Sequence, residues 1–139
     1  MGMTLRDLVL QTPGESVPIG TELFLRALLA SSSFIPNREP TVDPERLSGA
    51  PCMGRTDGLK WLVIYTDPEA ALTHPGAQSQ YGVETRVLMG MAAADGMGVM
   101  LATGYGAPYY EMPPENVVGM LGWGEQNAIW DKQDAAPGT

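Results

Sequence analysis

Apolar positions along the chain fall into short blocks divided by Gly- and Pro-rich turns, and the spacing within the blocks switches between helical and extended periods. The first clear helix is predicted over Thr21 to Ser31. Thr21 stands as its N-cap, Glu22 complements the positive helix end, and Phe24, Leu25, Leu28 and Leu29 share one face. Ser33-Phe34-Ile35 reads as a short strand stopped by Pro36, and residues 37 to 58 as a long loop without periodicity. Lys60 to Thr66 is the strongest strand, aromatic and β-branched, and its unbroken apolar run places it in the centre of a sheet.

Asp67-Pro68-Glu69 then opens a short helix that runs to about Thr73: a capping carboxylate, a proline at the first helical position and an acid in the first turn. A second strand–helix unit follows. Gln80 to Val83 is its strand, and Thr85 is expected to cap a helix whose Val87, Leu88 and Met91 face inward, closed by Asp95-Gly96. The third comprises a buried strand at Val99 to Ala102, a loop from Gly104 to Pro108 and a resumed strand at Tyr109 to Met112. Pro113-Pro114-Glu115 opens the last helix, with Val117, Val118 and Leu121 as its inner stripe before Gly122. Such alternation predicts an α/β (α+β) fold, a small mixed sheet of four to five strands flanked by short helices. Residues 1–19 read as an N-terminal extension, with Thr4 and Asp7 at capping-box spacing, residues 20–130 as the single domain and residues 131–139 as a flexible tail.

Length and charge narrow the function. The 139 residues suit one core, and 44% hydrophobic residues is an ordinary globular share. Sixteen acids against eight bases leave a net charge of −8. That balance speaks against a nucleic-acid-binding role, which needs a cationic stripe, and suits either simple solubility or a basic protein partner. No run reaches the ~18 apolar residues of a membrane span, and one cysteine offers no intramolecular disulfide, so a soluble protein of a reducing cytoplasm is expected.

The candidate chemistry is sparse. Cys52 and His74, the only residues of their kinds, would be the natural nucleophile and base, but no third orienting residue is implied, and an inert thiol and an exposed histidine at a helix end are the expected reading. One Cys and one His do not make a zinc site, and Gly104-x-Gly106 lacks the third glycine of a dinucleotide fingerprint and reads as a turn. Asp67 and Glu69 are accounted for as helix-start residues. No cofactor is expected. The C-terminal third carries a different signal, aromatics interleaved with acids. Tyr105, Tyr109, Tyr110, Glu111, Glu115, Trp123 and Glu125 form the expected partner-binding set, because aromatic anchors with charged neighbours mark the energetic centres of interfaces.

Leu23-Phe24-Leu25-Arg26-Ala27-Leu28-Leu29-Ala30-Ser31 with Phe34-Ile35-Pro36, Trp61-Leu62-Val63-Ile64-Tyr65-Thr66-Asp67-Pro68-Glu69-Ala70-Ala71-Leu72, Tyr81-Gly82-Val83, Val99 to Leu101 and Tyr110-Glu111-Met112-Pro113 occur in the order of the SseB family N-terminal domain, which the chain resembles over about residues 20 to 122. The resemblance implies an α/β domain without a catalytic set, acting as an accessory or partner-binding module, with single-domain versions among secretion-linked and toxin-immunity proteins. Two departures stand out: the loop from Asn37 to Gly58, and the single-domain form. The resulting expectation is a non-enzymatic cytoplasmic protein-binding domain, in its sharpest form an acidic immunity or inhibitor protein for a basic toxin or effector. An accessory factor of a secretion or amino-acid-related pathway, pairing with a conserved partner or a second copy in a homodimer, is the alternative. A small enzyme built on Cys52, His74 and the loop near Tyr105 is the third reading.

Overall fold

The computed structural model describes Arg6, Val9 and residues 22–43, 45, 50–54 and 58–127. It is a mixed α/β structure. In chain order the elements are α1 (Glu22–Ala30), β1 (Ser32–Asn37), β2 (Cys52–Gly54), β3 (Lys60–Tyr65), α2 (Pro68–Leu72), β4 (Ser79–Glu84), α3 (Thr85–Ala94), β5 (Gly98–Ala102), β6 (Tyr109–Met112) and α4 (Pro114–Gln126). Five strands lie in the order β4-β1-β3-β5-β6 and the short β2 also pairs with β3. The β3–β5 pair is parallel and every other pairing is antiparallel.

Strand alternation gives the sheet two unlike faces. Ile35, Leu62, Ile64, Val99, Leu101, Tyr110 and Met112 point to one face, where Leu28 and Leu29 of α1, Leu88, Met89 and Ala92 of α3, and Val117 and Met120 of α4 complete the main core. Val9, helical and fully buried, joins it. The opposite face has a second, smaller cluster of Tyr65 and Ala102 under Ala70 and Ala71 of α2, with Phe34, Val63 and Tyr109 packed against it. Among the described residues, α1, α3 and α4 together with Val9 cover one face, and a helix of five residues part of the other.

Several elements depart from the sequence expectations. Strand β1 continues through Pro36 to Asn37; Pro36 is opposite Gln80 of β4, while the only β1 residue in register with β3 is Phe34. A proline without an N–H is tolerated where a strand has a neighbour on one side alone. The loop of residues 37–58 contains β2, whose Cys52 and Met53 pair with Leu62 and Trp61. In α3 the inward residues are Leu88, Met89 and Ala92, so Val87 and Met91 are exposed, and in α4 Met120 replaces Val118 on the buried side. Helix α4 also runs through Gly122 to Gln126. Thr85 does not cap α3: its hydroxyl is buried against the Ser33 hydroxyl at 2.6 Å and the Ser31 hydroxyl at 3.2 Å, and its N–H donates to the Ser31 carbonyl. The Thr4 capping box, Thr21, the Phe24 side chain and residues 131–139 lie outside the described residues.

Two glycines set how closely aromatics lie on the less covered face. A Cβ at Gly98 would stand 2.6 Å from the Trp61 ring and 2.9 Å from the Met112 carbonyl oxygen, and one at Gly82 would meet the Phe34 ring at 3.1 Å. Gly98→Ala must displace an indole wedged against backbone, and is expected to cost about 1–3 kcal/mol, read as a lower urea midpoint at unchanged slope. Gly90→Ala, in α3 with no atom within 4 Å of the added methyl, is expected to be stabilising by roughly 0.4–1 kcal/mol in the same measurement.

Candidate functional site

The register of the three central strands lays out the floor of a site on the second face. Val63 of β3 sits beside Met100 of β5, and Met100 beside Glu111 of β6; one step on, Tyr65 sits beside Ala102 and Ala102 beside Tyr109. Tyr65 and Ala102 are the last residues of the two parallel strands. The chain leaves both strands at this end, into α2 after β3 and into the Gly104–Pro108 turn after β5. Carboxyl ends of parallel strands are where open α/β sheets form ligand crevices.

A cavity of about 280 Å³ occupies this place. Val63, Met100 and Ala102 form its floor; Tyr65, His74, Tyr105 and Tyr109 its aromatic walls; Gly104, Gly106 and Ala107 one side, small enough to leave it open; and Cys52 of β2 also lines it. Its surface is predominantly apolar, as small-ligand pockets are.

Both loops that wall the cavity are held by hydrogen bonds. Asp67 caps α2, its Oδ1 accepting from the Ala70 N–H at 2.8 Å and its Oδ2 from the Thr66 hydroxyl at 2.9 Å. Arg6 joins the two loops, donating to Asp67 Oδ2 at 3.1 Å and to the Thr103 carbonyl at 2.8 Å. Thr103 donates through both its N–H and its hydroxyl to the Pro108 carbonyl, which closes the turn, and Gly106 supplies the positive φ of 74° that the turn requires. The Tyr105 N–H donates to the Thr73 hydroxyl at 2.7 Å, fastening the turn to the end of α2. Burial pushes the Asp67 carboxyl up, but the Ala70 N–H, the Thr66 hydroxyl and Arg6 outweigh it and hold the group below its ordinary 3.8.

The polar feature of the cavity is a tyrosine–histidine pair. Tyr65 Oη lies 2.7 Å from His74 Nδ1, and the His74 ring stands edge-on between Tyr65 and Tyr105, with centroid separations of 5.8 and 5.6 Å. Burial, with a smaller contribution from Tyr105, pushes the Tyr65 hydroxyl up to about 12, so it keeps its proton at neutral pH. Burial, assisted by the Arg38 charge, lowers His74 below 6.5 and keeps the imidazole neutral there. We assign the hydrogen of this contact to the Tyr65 hydroxyl, the better donor, with the imidazole Nδ1 as the better acceptor, which places the hydrogen of neutral His74 on Nε2.

The residues expected to bind a partner do not form one surface. Tyr105, 61% exposed, and Tyr109 line the cavity, and Glu111 shares its face. Tyr110 is fully buried in the main core, because alternation along β6 turns it to the opposite face from Tyr109; its assignment to a contact surface is corrected. Glu115, Trp123 and Glu125 belong to α4, on the helix-covered side, where Trp123 packs against the main core and under the Arg26 guanidinium. His74 reads in the sequence as an exposed helix-end residue, and Tyr65 and Met100 as plain strand residues, yet all three line the cavity. Cys52 and His74 do line one cavity, but His74 Nδ1 is engaged by Tyr65 and the Cys52 thiol faces the Ala50 carbonyl at 3.8 Å. Among the described residues no group of three or more His, Cys, Asp or Glu could hold a metal ion, and no helix is long and apolar enough to cross a membrane. Compared with protein-family profiles, curated proteins and solved structures, the chain matches none.

His74 is the only histidine, so a stability change between pH 7 and 5 is its signature. The folded protein binds this proton less readily than the unfolded chain, whose histidine titrates near 6.5, so stability is full above that value and declines as pH falls below it. Urea midpoints are expected to fall from pH 7 to 5 in the native protein and to stay level in His74→Gln. The further loss owed to Asp67 sets in separately, below 3.8.

Proposed function

We propose that the chain is a non-catalytic, cytoplasmic protein-binding domain of SseB type, which anchors a basic partner by seating one of its apolar side chains in the cavity on the second face of the sheet. The observation that carries this reading is the cavity itself, apolar and walled by aromatics held in place, in a chain with twice as many acids as bases. A preformed pocket that takes a single anchor residue concentrates binding energy at one point, and net charge of opposite sign speeds the encounter. Engagement of His74 by Tyr65 rather than by Cys52 favours binding over nucleophilic chemistry at this site.

Immunity to a basic toxin is the sharpest form of the proposal and an accessory role in secretion or amino-acid metabolism the other; co-expression separates them, since only an immunity protein rescues cells from a particular toxin. The contact surface is redrawn around Tyr105, Tyr109 and Glu111, with Glu115 and Glu125 acting at most through the long-range field.

Capture from host lysate tests the reading. The native protein is expected to retain a basic protein at low salt and release it at high salt, whereas Ala107→Phe, which fills the cavity, lowers retention about tenfold or more. Glu111→Gln is expected to weaken capture more than Glu115→Gln and Glu125→Gln combined. Equal retention by Ala107→Phe, with its fold verified by circular dichroism, overturns the proposal.

A further inference from the structure

We infer that the cavity selects a phenol ring, the side chain of a tyrosine in the partner, over aliphatic, phenyl or indole side chains. This rests on the reading of the cavity as an anchor pocket and specifies what it holds.

Size sets the first limit. An apolar cavity of roughly 150 Å³ is enough for benzene, so about 280 Å³ accommodates one aromatic ring together with a polar substituent and its linking carbon. Flat occupants also suit the walls, since Tyr105 and Tyr109 offer ring faces and edges, and the floor of Val63, Met100 and Ala102 is apolar.

Hydrogen bonding sets the second limit. With Nδ1 accepting from the Tyr65 hydroxyl, the polar atom that His74 has left to offer is Nε2–H, a donor, and no hydrogen-bond partner for it exists among the described residues. Tyr65, 1% exposed, spends its hydroxyl on the histidine, so the pair offers an occupant one donor, His74 Nε2–H. Leucine and phenylalanine carry no acceptor and would cover Nε2–H without replacing its hydrogen bond to solvent. Indole carries only a donor, so tryptophan leaves the histidine unmet. A phenol hydroxyl accepts, and a tyrosine side chain brings it on a ring of fitting size.

The test uses the intact protein and side-chain analogues: p-cresol for tyrosine, toluene for phenylalanine and 3-methylindole for tryptophan, followed by methyl NMR of Met100, Ala102 and Ala107. Saturable shifts at these methyls are expected, with p-cresol binding about tenfold more tightly than toluene or 3-methylindole. That preference is expected to disappear in His74→Phe; in case this variant does not fold, Ala107→Phe serves as the second, with all three analogues excluded. Toluene or 3-methylindole binding as well as p-cresol overturns the phenol inference while the anchor pocket stands, and so does the absence of shifts with every analogue. The reading of the pocket as a partner anchor falls separately, on undiminished lysate capture by Ala107→Phe. A final arm distinguishes a protein tyrosine from a free phenolic molecule. Acetyl-Lys-Tyr-Lys-amide is expected to bind more tightly than p-cresol at low salt, and weaker binding of the peptide overturns the assignment to a partner's side chain.

Discussion

The parallel pairing of β3 with β5 imposes the demand that organises the molecule. Two strands joined this way in mid-sheet are apolar on both faces, so both faces call for cover. Connecting them in parallel consumes α2, β4 and α3, and of the two helices in that crossover the longer packs on the main core while α2, five residues long, is left to the other side. Ala70 and Ala71 cover Tyr65 and Ala102, but a single and a half turns of helix do not reach across three strands. Trp61 and Phe34 cover further parts with rings set close against Gly98 and Gly82. The space that remains uncovered is the cavity.

Its position explains why its walls are firm. Helix α2 and the Gly104–Pro108 turn leave from the ends of the same two strands, and most polar groups there hold these loops together. Asp67 serves α2 and Arg6 at once, Thr73 carries the Tyr105 N–H, and Thr103 closes its own turn. The site is therefore an extension of the secondary structure, and binding there needs little ordering of the chain, which favours affinity from a modest contact area.

Legibility in the sequence followed how local each determinant is. Strands β3 and β5 announce themselves by continuous apolar runs, and the start of α2 by Asp67-Pro68-Glu69, because both signals lie within a few neighbouring residues. Strand β2 gave none: three residues at Cys52 are extended because the edge of β3 is there to receive them. In α3 the choice between Val87 and Met91 or Met89 and Ala92 as the buried side depends on how the helix is rolled against the sheet, which methionine and alanine do not specify. The cavity was the least legible part. Tyr65 and His74 are nine residues apart with a helix between them, and their contact follows from α2 folding back over the strand it leaves. A lone histidine two residues beyond a short helix that follows a buried tyrosine strand is the signal that could have located it. Alternation along β6 was equally available, and would have separated Tyr110 from Tyr109.

The chain holds one histidine and one cysteine, and the fold brings both to the same cavity. Each is a label that needs no engineering. Imidazole carbon resonances of the unmodified protein report on one wall and nowhere else, and a fluorophore or nitroxide attached through the exposed Cys52 thiol sits where an arriving partner must pass. Occupancy of the cavity is thus observable in the native sequence, by two independent probes at separate positions around one opening.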